Sequence, residues 1–346
     1  MAQVLPNGSR LGGYEIVEMV GKGGMGEVYR ARQLSMDRPV ALKVLAPRLA
    51  QQDPQFAKRF EDEAKAAGKL NHPNIIAVHD VGTAPPPPGV SVPGALIHYF
   101  SMEFVEGETL KDLLEREGAL DPQVIAVVMA GMCEALGYAQ AHGIVHRDIK
   151  PDNIMRTADG RVKLADLGLA LHVETQEQVI DAQPGAPRPA VMGTPLYMSP
   201  EQARALPLDH RSDLYALGAT LFQCVTGRLP FEGRNGGEVM ARVLDQPPPS
   251  ARAVNPAVPP ALDLLIQRLM AKDADDRPAD AAQLITELDA ATADPERVTV
   301  TPAPRRRRPA PADAPPRVSP WLIVTLVALL LALALAGMLY LLLKPS

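Results

Sequence analysis

The sequence predicts an α+β chain with a two-lobed unit and a C-terminal appendage. Its 346 residues exceed one small domain and suit a unit of roughly 250–300 residues plus a further segment. Strand patterns with turns occupy residues 14–45, and helical patterns dominate after residue 54. An uncharged stretch, residues 320–343, lies near the C-terminus. These observations predict a small strand-rich lobe, a larger helical lobe and one transmembrane helix.

The small lobe is predicted from three apolar strands. They cover residues 14–17, 27–31 and 40–45, and a glycine-rich turn at residues 21–26 separates the first two. A proline-rich stretch, residues 82–93, predicts an irregular loop that is longer than a hairpin needs. This loop is either a binding loop or a plain insertion.

Helices are predicted wherever apolar residues recur at steps of three and four. In the first of them Phe56, Phe60 and Ala64 fall on one face. The predicted helical segments are residues 54–70, 121–142, 211–227, 262–269 and 281–288.

The composition indicates a globular chain with a reduced interior. Hydrophobic residues make up 47% and charged residues 22% of the chain, which is typical of a packed domain rather than a disordered one. A nucleic-acid-binding protein usually presents a basic face, and a net charge of −5 gives no sign of one. Cys133 and Cys224 lie in apolar helical stretches without metal-binding spacing, which predicts reduced core thiols.

The C-terminal part predicts a linker and a membrane span. Pro, Ala, Arg and Thr fill residues 291–318, a composition that cannot build a core. As a helix, the 24 residues of 320–343 would extend about 36 Å, enough for a ~30 Å hydrocarbon core. Trp321 and Tyr340 lie near its ends, as interfacial anchors do. A buried core helix is the alternative, but such helices are usually shorter and carry a polar face.

The charges on either side of this span predict its orientation. Arg305–Arg308 and Arg317 precede it, and only Lys344 follows. The positive-inside rule then places the larger, N-terminal part of the chain in the cytoplasm, at the cell membrane. Arg305–Arg308 would also attract anionic lipid. Residues 1–10 lack the apolar core of a secretory signal, in agreement with this topology.

The glycine-rich turn contains a GxGxxG pattern, in which the backbone can approach phosphate oxygens closely. A dinucleotide-binding fold uses the same pattern, but there a helix follows, whereas here a strand with Val28 follows. A plain turn is a third possibility. The candidate phosphate contacts are Gly21, Lys22, Gly23, Gly24 and Gly26.

Lys43 lies within the apolar run of the third strand. A lysine in such a run costs free energy unless a carboxylate pairs with it, although an isolated lysine on an edge strand is often exposed. Glu63 on the following helix is the predicted partner, because Glu61 and Asp62 would face elsewhere on that helix.

The most informative string runs from His146 to Asn153. It contains a candidate base, Asp148, a candidate phosphate-facing lysine, Lys150, and a candidate metal ligand in Asn153; a second such ligand, Asp166, follows. Phosphoryl transfer needs this set, because it uses a carboxylate for the incoming hydroxyl, cations around the moving phosphoryl group and oxygens for the metal.

Together these motifs resemble a eukaryotic-like, or Hanks-type, Ser/Thr protein kinase of the membrane-anchored bacterial kind. The resemblance covers about residues 14–290, with the small lobe at about 14–101 and the large lobe at about 105–290. It rests on motifs that occur in the family order: the glycine-rich turn, Val40-Ala41-Leu42-Lys43, Glu63, His146-Arg147-Asp148, Asn153, Asp166-Leu167-Gly168, Ser199-Pro200-Glu201, Asp213 and Arg277.

The resemblance implies ATP as the phosphoryl donor and Mg²⁺, or Mn²⁺ in its place, as the metal. Lys43 would bind the α- and β-phosphates and pair with Glu63. Asp148 would accept or orient the proton of the acceptor hydroxyl, and Lys150 would contact the γ-phosphate. The implied metal ligands are Asn153 and Asp166.

The resemblance also implies an adenine site between the lobes. Val28 and Ala41 would cover the adenine from above, and Met155 would lie below it. Met102 would be the gatekeeper, and the backbone of Glu103 and Val105 would bond the adenine edge. In the large lobe, Glu201 and Arg277 would form a buried ion pair that is structural rather than catalytic.

The implied activity is transfer of the ATP γ-phosphoryl group to Ser or Thr hydroxyls of proteins, because Lys150 and Thr194 accompany Ser/Thr specificity in this family. A membrane-anchored pseudokinase scaffold is the alternative, and a small-molecule kinase of similar fold is a third. Protein substrates and the membrane are the implied partners. Relatives often dimerise through the small lobe, and the sequence leaves open whether this chain does, what it phosphorylates and what activates it.

The activation segment departs from the family pattern. Within residues 166–201, the usual threonine positions hold Ala186 and Arg188, and Thr175 is the hydroxyl residue of the variable part. Arg147 is present nonetheless, the residue that receives a loop phosphate in such kinases. We therefore expect activation without phosphorylation at the usual sites.

Overall fold

The structure, a computed structural model, describes residues 5–52, 54–90, 96–166 and 195–293. Several expectations fall on residues outside these ranges: the activation segment from Leu167 to Thr194, the linker from residue 294, Arg305–Arg308 and the span 320–343.

The small lobe is built on a six-stranded antiparallel sheet. Its strands are β1 (Arg10–Leu11), β2 (Tyr14–Lys22), β3 (Gly26–Gln33), β4 (Arg38–Leu45), β5 (Val78–Ala84) and β6 (Ile97–Glu103). The order across the sheet is β1-β2-β3-β4-β6-β5. The three predicted strands are present, and each is longer than its apolar run because hydrogen bonding continues into the turns.

Two helices follow β4, namely α1 (Pro47–Gln52) and α2 (Pro54–Ala67). The predicted apolar face of α2 is buried through Phe60 and Ala64, which pack with Phe100 of β6. The helix ends three residues before the predicted residue 70, because the Lys69 and Leu70 amides donate to carbonyl oxygens three residues back, in a turn, instead of four. This packing fixes α2 against the sheet.

The proline-rich stretch packs against the sheet in the part that the structure describes. Pro87 and Val90 are buried, and the Val90 amide donates to the Pro87 carbonyl oxygen at 3.0 Å. Val90 belongs to the same apolar cluster as Ala84 and Ile97, the residues at the facing ends of β5 and β6. The loop therefore extends the core of the small lobe.

The large lobe combines a small sheet with helices. Its strands are β7 (Gly107–Thr109), β8 (Ile154–Thr157) and β9 (Val162–Leu164), paired antiparallel in that order. Its helices are α3 (Leu110–Glu117), α4 (Pro122–Ala141), α5 (Pro200–Ala203), α6 (His210–Thr226), α7 (Gly236–Asp245), α8 (Ala251–Val254), α9 (Pro260–Leu269) and α10 (Ala281–Ala293). Helix α10 continues to Ala293, past the predicted start of the linker at residue 291.

Helices α4 and α6 form the centre of the large lobe. Asp121 caps the start of α4 by accepting from the Gln123 amide, and Gly227 ends α6 in the left-handed region with φ 69°. A Cβ on Gly218 would lie 2.7 Å from that of Leu269, so this glycine lets α6 and α9 approach closely.

Among the described residues, α4 is one helix that is long and apolar enough to cross a membrane, but half of its apolar window is buried inside the lobe. It is therefore a core helix of the large lobe. Cys133 of α4 and Cys224 of α6 are both buried free thiols, which confirms the prediction of reduced core cysteines.

Candidate active site

The glycine-rich turn joins β2 to β3. The Gly23 amide donates to the Gly26 carbonyl oxygen at 2.8 Å. A Cβ on Gly26 would lie 1.9 Å from the Val44 carbonyl oxygen, whereas a Cβ on Gly24 would meet no atom within 4 Å. Residue 26 must therefore be glycine, because a side chain there would collide with the backbone of β4. Gly24 has open space beside it, so a small side chain would fit there. The turn holds the five candidate phosphate contacts Gly21, Lys22, Gly23, Gly24 and Gly26.

Lys43 lies on β4 with its side chain 12% exposed. Its Nζ is 2.9 Å from Asp166 Oδ1 and 3.8 Å from Glu63 Oε1. The structure thus brings together three residues that are far apart in the sequence. Glu61, in contrast, lies near the exposed side, where it contacts His98 and Lys65.

The charged groups of this cluster shift one another's pKa values. Burial lowers the pKa of Lys43, but the carboxylates of Asp166 and Glu63 outweigh it and the net pKa is raised. Burial raises the pKa of Glu63 to about 7 despite the nearby ammonium. Burial also raises the pKa of Asp166, yet Lys43 and, more weakly, Lys150 bring it below its ordinary value. Asp166 is therefore an anion at neutral pH, whereas Glu63 gains or loses its proton close to neutral pH.

The loop that follows α4 is held by one buried carboxylate from α6. Asp213 accepts the His146 amide at 2.8 Å on Oδ2 and the Arg147 amide at 2.7 Å on Oδ1. Arg147 has φ 71°, a left-handed conformation that costs energy for a non-glycine residue. His146 Nε2 contacts the Ala165 carbonyl oxygen at 2.9 Å, which makes Nε2 the protonated nitrogen. The loop is thereby tied to both α6 and the strand that leads to Asp166.

Asp148 receives two donors on the same oxygen. Lys150 Nζ lies 2.7 Å from Asp148 Oδ2, and Asn153 Nδ2 donates to the same atom at 3.0 Å. Asn153 Nδ2 also donates to the Asp148 main-chain oxygen at 2.8 Å. The carboxylate is therefore fixed in direction within its own loop.

Asn153 and Asp166 suit a hard divalent cation. Asp166 Oδ1 is buried and faces the Lys43 ammonium at 2.9 Å, which stabilises the anionic carboxylate. The Ala165 amide donates to the Asn153 carbonyl oxygen at 2.8 Å, so the residue before Asp166 is bonded directly to the main chain of Asn153. The described residues contain no group of three or more His, Cys, Asp or Glu side chains arranged to hold a metal ion by themselves. One carboxylate and one amide oxygen agree with Mg²⁺, which is usually held by few protein ligands together with phosphates and water.

An apolar cluster lies between β4, β6 and β8. Ala41, Met102 and Val105 are buried in it, and Val28 and Met155 pack against it. Ala41 and Met102 are direct neighbours in the register of β4 and β6. All the side chains proposed for adenine thus lie together, and Glu103 and Val105 follow at the end of β6.

Lys163 is a site-adjacent residue that the sequence analysis missed. It is 8% exposed on β9 and binds Glu103 at 2.9 Å. Like Lys43, Lys163 is a lysine inside an apolar run, between Val162 and Leu164, and its burial costs free energy unless a carboxylate pairs with it. Such a signal was therefore available in the sequence.

Residues 14–288 match the family model described as "Protein kinase domain". Among curated proteins, the chain is 42% identical over 300 residues to the serine/threonine-protein kinase pkn3 of Myxococcus xanthus, covering 85% of this chain and 52% of that protein. It is 41% identical over 278 residues to the serine/threonine-protein kinase PknB of Mycolicibacterium smegmatis, covering 80% and 42%. The chain thus spans about half the length of the curated relatives it matches.

Among solved structures, the kinase domain of PknI from Mycobacterium tuberculosis is similar, with a TM-score of 0.61 and 29% identity. The match covers 84% of this chain and 99% of that one. It agrees with the two-lobed arrangement of a strand-rich and a helical lobe. With a family model that matches most of its length and relatives about 40% identical, the chain belongs to the protein kinase family.

Proposed function

We propose that this chain is a Ser/Thr protein kinase that transfers the γ-phosphoryl group of ATP to hydroxyls of protein substrates. The observation that carries the proposal is the convergence of Asp148 and Lys150 with the cluster of Lys43 and Asp166. A fixed carboxylate, two ammonium groups and a second, ionised carboxylate are the groups that phosphoryl transfer requires.

The geometry supports a division of labour. Lys43 carries a stable positive charge for the α- and β-phosphates, and Glu63 positions it. Asp148, oriented by Asn153, accepts or orients the proton of the acceptor hydroxyl. Lys150, beside that carboxylate, offsets charge on the transferred group. Asn153 and Asp166 would hold Mg²⁺, or Mn²⁺, which neutralises phosphate oxygens when bound.

Three features support a Ser or Thr acceptor on a protein. The relatives at about 40% identity are named serine/threonine-protein kinases. Lys150 stands two residues after the candidate base, and the Gly193-Thr194 pair precedes Pro195 in the sequence. Ser199 caps α5 with a full capping box, which gives the segment after Pro195 a defined structure.

The test of this proposal is phosphorylation by the full-length chain in detergent or nanodiscs with Mg-ATP. The substrates are a generic basic protein and matched Ser, Thr and Tyr peptides. We expect transfer to Ser and Thr, and a loss of about 10²–10⁴-fold in Asp148→Asn. Asp159→Asn, which alters an exposed carboxylate paired with Arg161, is the matched control and should leave transfer unchanged. Equal transfer by wild type and Asp148→Asn would contradict the catalytic assignment and favour a scaffold.

We further propose that residues 320–343 tether the chain to a membrane with residues 14–290 in the cytoplasm. The support is the uncharged length of the segment and the arginines before it. Arg305–Arg308 would add attraction to anionic lipid, about 1 kcal/mol per arginine.

Protease access in sealed vesicles tests the tether. We expect the kinase domain to be digested in inside-out vesicles and protected in right-side-out vesicles. Recovery of the whole chain in the soluble fraction, or protection in the opposite vesicles, would contradict the proposed topology.

A further inference from the structure

Lys163 and Glu103 form an ion pair at the connection between the lobes, in which the lysine is buried and the glutamate side chain is 33% exposed. Lys163 Nζ lies 2.9 Å from each carboxylate oxygen of Glu103, and the lysine side chain is 10% exposed. Val162 and Leu164, on either side of the lysine, are buried as well. An ammonium group in such surroundings is costly without a partner, so Lys163 depends on this carboxylate.

Glu103 stands at the end of β6, where the proposed adenine contacts are. Its amide donates to the Ala77 carbonyl oxygen at 2.9 Å, and it lies opposite Val40 of the neighbouring strand β4. Its side chain, however, leaves the small-lobe sheet and contacts β9 of the large lobe. The position of the segment from Glu103 to Val105 is therefore set from two sides, by the β-sheet and by Lys163.

Lys163 also lies three residues before Asp166 on the strand that positions this carboxylate. Leu164 is fixed by the Asn74 carbonyl oxygen at 2.8 Å and the Ile76 amide at 2.9 Å. Ala165 is fixed by the Asn153 carbonyl oxygen at 2.8 Å. The ion pair thus joins the strand leading to the candidate metal ligand to the segment beside the candidate adenine site.

We propose that Lys163 is a positioning residue for the nucleotide, and that its ion pair with Glu103 fixes the distance between the adenine-binding segment and Asp166. This inference rests on the proposed function of the same site. A nucleotide that spans both places is bound best when that distance is set in advance, because less ordering is then left to binding. Loss of the pair weakens nucleotide binding more than it slows the transfer step.

The test compares Lys163→Met, which removes the charge at similar length, with Lys163→Arg, which retains it. The full-length protein is assayed for KM of ATP and kcat, for direct binding of ADP by calorimetry, and for thermal unfolding. For Lys163→Met we expect KM of ATP and Kd of ADP to rise roughly tenfold with kcat within about twofold. Lys163→Arg should recover most of the affinity. Lys69→Met, the same substitution at an exposed lysine, should change neither constant.

Two outcomes would overturn the inference. One is a Lys163→Met variant with lowered thermal stability but unchanged ADP affinity in the folded protein, which would make the pair purely structural. The other is a Lys163→Arg variant as impaired as Lys163→Met, which would show that the charge is not what acts. Should Lys163→Met not fold, Glu103→Gln removes the partner charge instead, and unchanged ADP affinity there would equally overturn the inference.

The ADP measurement separates this inference from the proposed function, because it requires no phosphoryl transfer. A wild-type chain that binds ADP but transfers no phosphate contradicts the proposed activity alone. A wild-type chain that transfers phosphate while Lys163→Met keeps its ADP affinity contradicts the positioning role alone.

Discussion

Lys43 Nζ lies 2.9 Å from Asp166 Oδ1 and 3.8 Å from Glu63 Oε1, so that one ammonium group serves two carboxylates. The nearer carboxylate has its pKa lowered and the farther one has its pKa raised, although burial opposes ionisation in both. The distance to the cation therefore decides which of the two is charged at neutral pH. Glu63 is left as the group that titrates in the physiological range.

The titration of Glu63 predicts a specific dependence of stability on pH. Its pKa is raised in the folded state from 4.5 to about 7, so the folded protein holds this proton more tightly than the unfolded chain. The contribution of this proton to the free energy of unfolding is fully present below pH 4.5 and is lost as the pH rises through about 7. Glu63→Gln cannot titrate, so its stability relative to wild type should increase between pH 5 and pH 8. Urea unfolding of both proteins across this range measures the difference.

Parallel stability curves for the two proteins would show that Glu63 does not titrate in this range. Phosphoryl transfer provides an independent reading, because the charged form of Glu63 is the one that positions Lys43. Wild-type activity should fall as the pH drops below about 7, and the residual activity of Glu63→Gln should lack that dependence.

The sequence predicted the α+β arrangement and most of the long elements, because strands β2 to β4 and helices α4 and α6 have continuous apolar patterns. Helix α7 was missed, since its buried side chains are Val239 and Val243 and so short a stripe resembles a loop with scattered apolar residues. Helix α3 was also missed, although Thr109 forms a capping box with Asp112 that the sequence displays.

Within the candidate site, the sequence identified side chains by their chemistry but not the contacts that hold them. The pairing of Lys43 with Glu63 followed from the cost of burying a lysine. The greater closeness of Asp166 to that lysine could not be inferred, because it depends on how β9 meets β4 across the lobes. The carboxylate of Asp213 beneath the loop was likewise visible only as a motif, since its partners are backbone amides.

Gly26 and Gly24 should respond differently to the same substitution. A Cβ on Gly26 would lie 1.9 Å from the Val44 carbonyl oxygen, and this contact is with backbone that cannot move aside. Gly26→Ala should therefore distort the turn, raise KM for ATP about tenfold and lower stability by about 1–3 kcal/mol. Gly24→Ala meets open space and should fold as wild type does. Steady-state kinetics and urea unfolding measure both; equal stability of the two variants would contradict the steric argument.

The ion pair of Arg277 and Glu201 should be a major determinant of large-lobe stability. The Arg277 side chain is fully buried and reaches both carboxylate oxygens, at 2.7 and 2.8 Å. It also donates to the carbonyl oxygens of Ala271 and Arg211. Arg277→Met leaves a buried carboxylate without its partner, so we expect a loss of about 3–5 kcal/mol in the free energy of unfolding.

Two further variants define the origin of that loss. Arg234→Met breaks an exposed i,i+4 pair with Glu238 and should cost less than about 1 kcal/mol. Adding Glu201→Gln to Arg277→Met removes the unpaired charge and should recover part of the stability. If the double variant is as unstable as Arg277→Met alone, the loss comes from the unpaired carbonyl groups and not from the buried charge.

Cys133 and Cys224 should be inert in the folded protein. Both are fully buried, and burial raises the pKa of each thiol to about 12, so almost no thiolate is present at neutral pH. We expect iodoacetamide at pH 7.5 to modify neither cysteine in the native protein and both in urea. Intact mass measurement counts the additions, and rapid labelling of either cysteine under native conditions would contradict the described packing.

Asp213 should act on the rate of transfer through the loop that it holds. Its two carboxylate oxygens accept the amides of His146 and Arg147, and Arg147 stays at φ 71° under this constraint. Asp213→Asn replaces one acceptor with an NH₂ donor that faces an amide, so one of the two bonds is lost and the strained residue can relax. Because Asp148 follows directly, its carboxylate should move from the acceptor hydroxyl. We expect kcat to fall about 10²-fold with ADP affinity within about twofold. A comparable loss of ADP affinity would show instead that the whole inter-lobe site collapses when this carboxylate is neutralised.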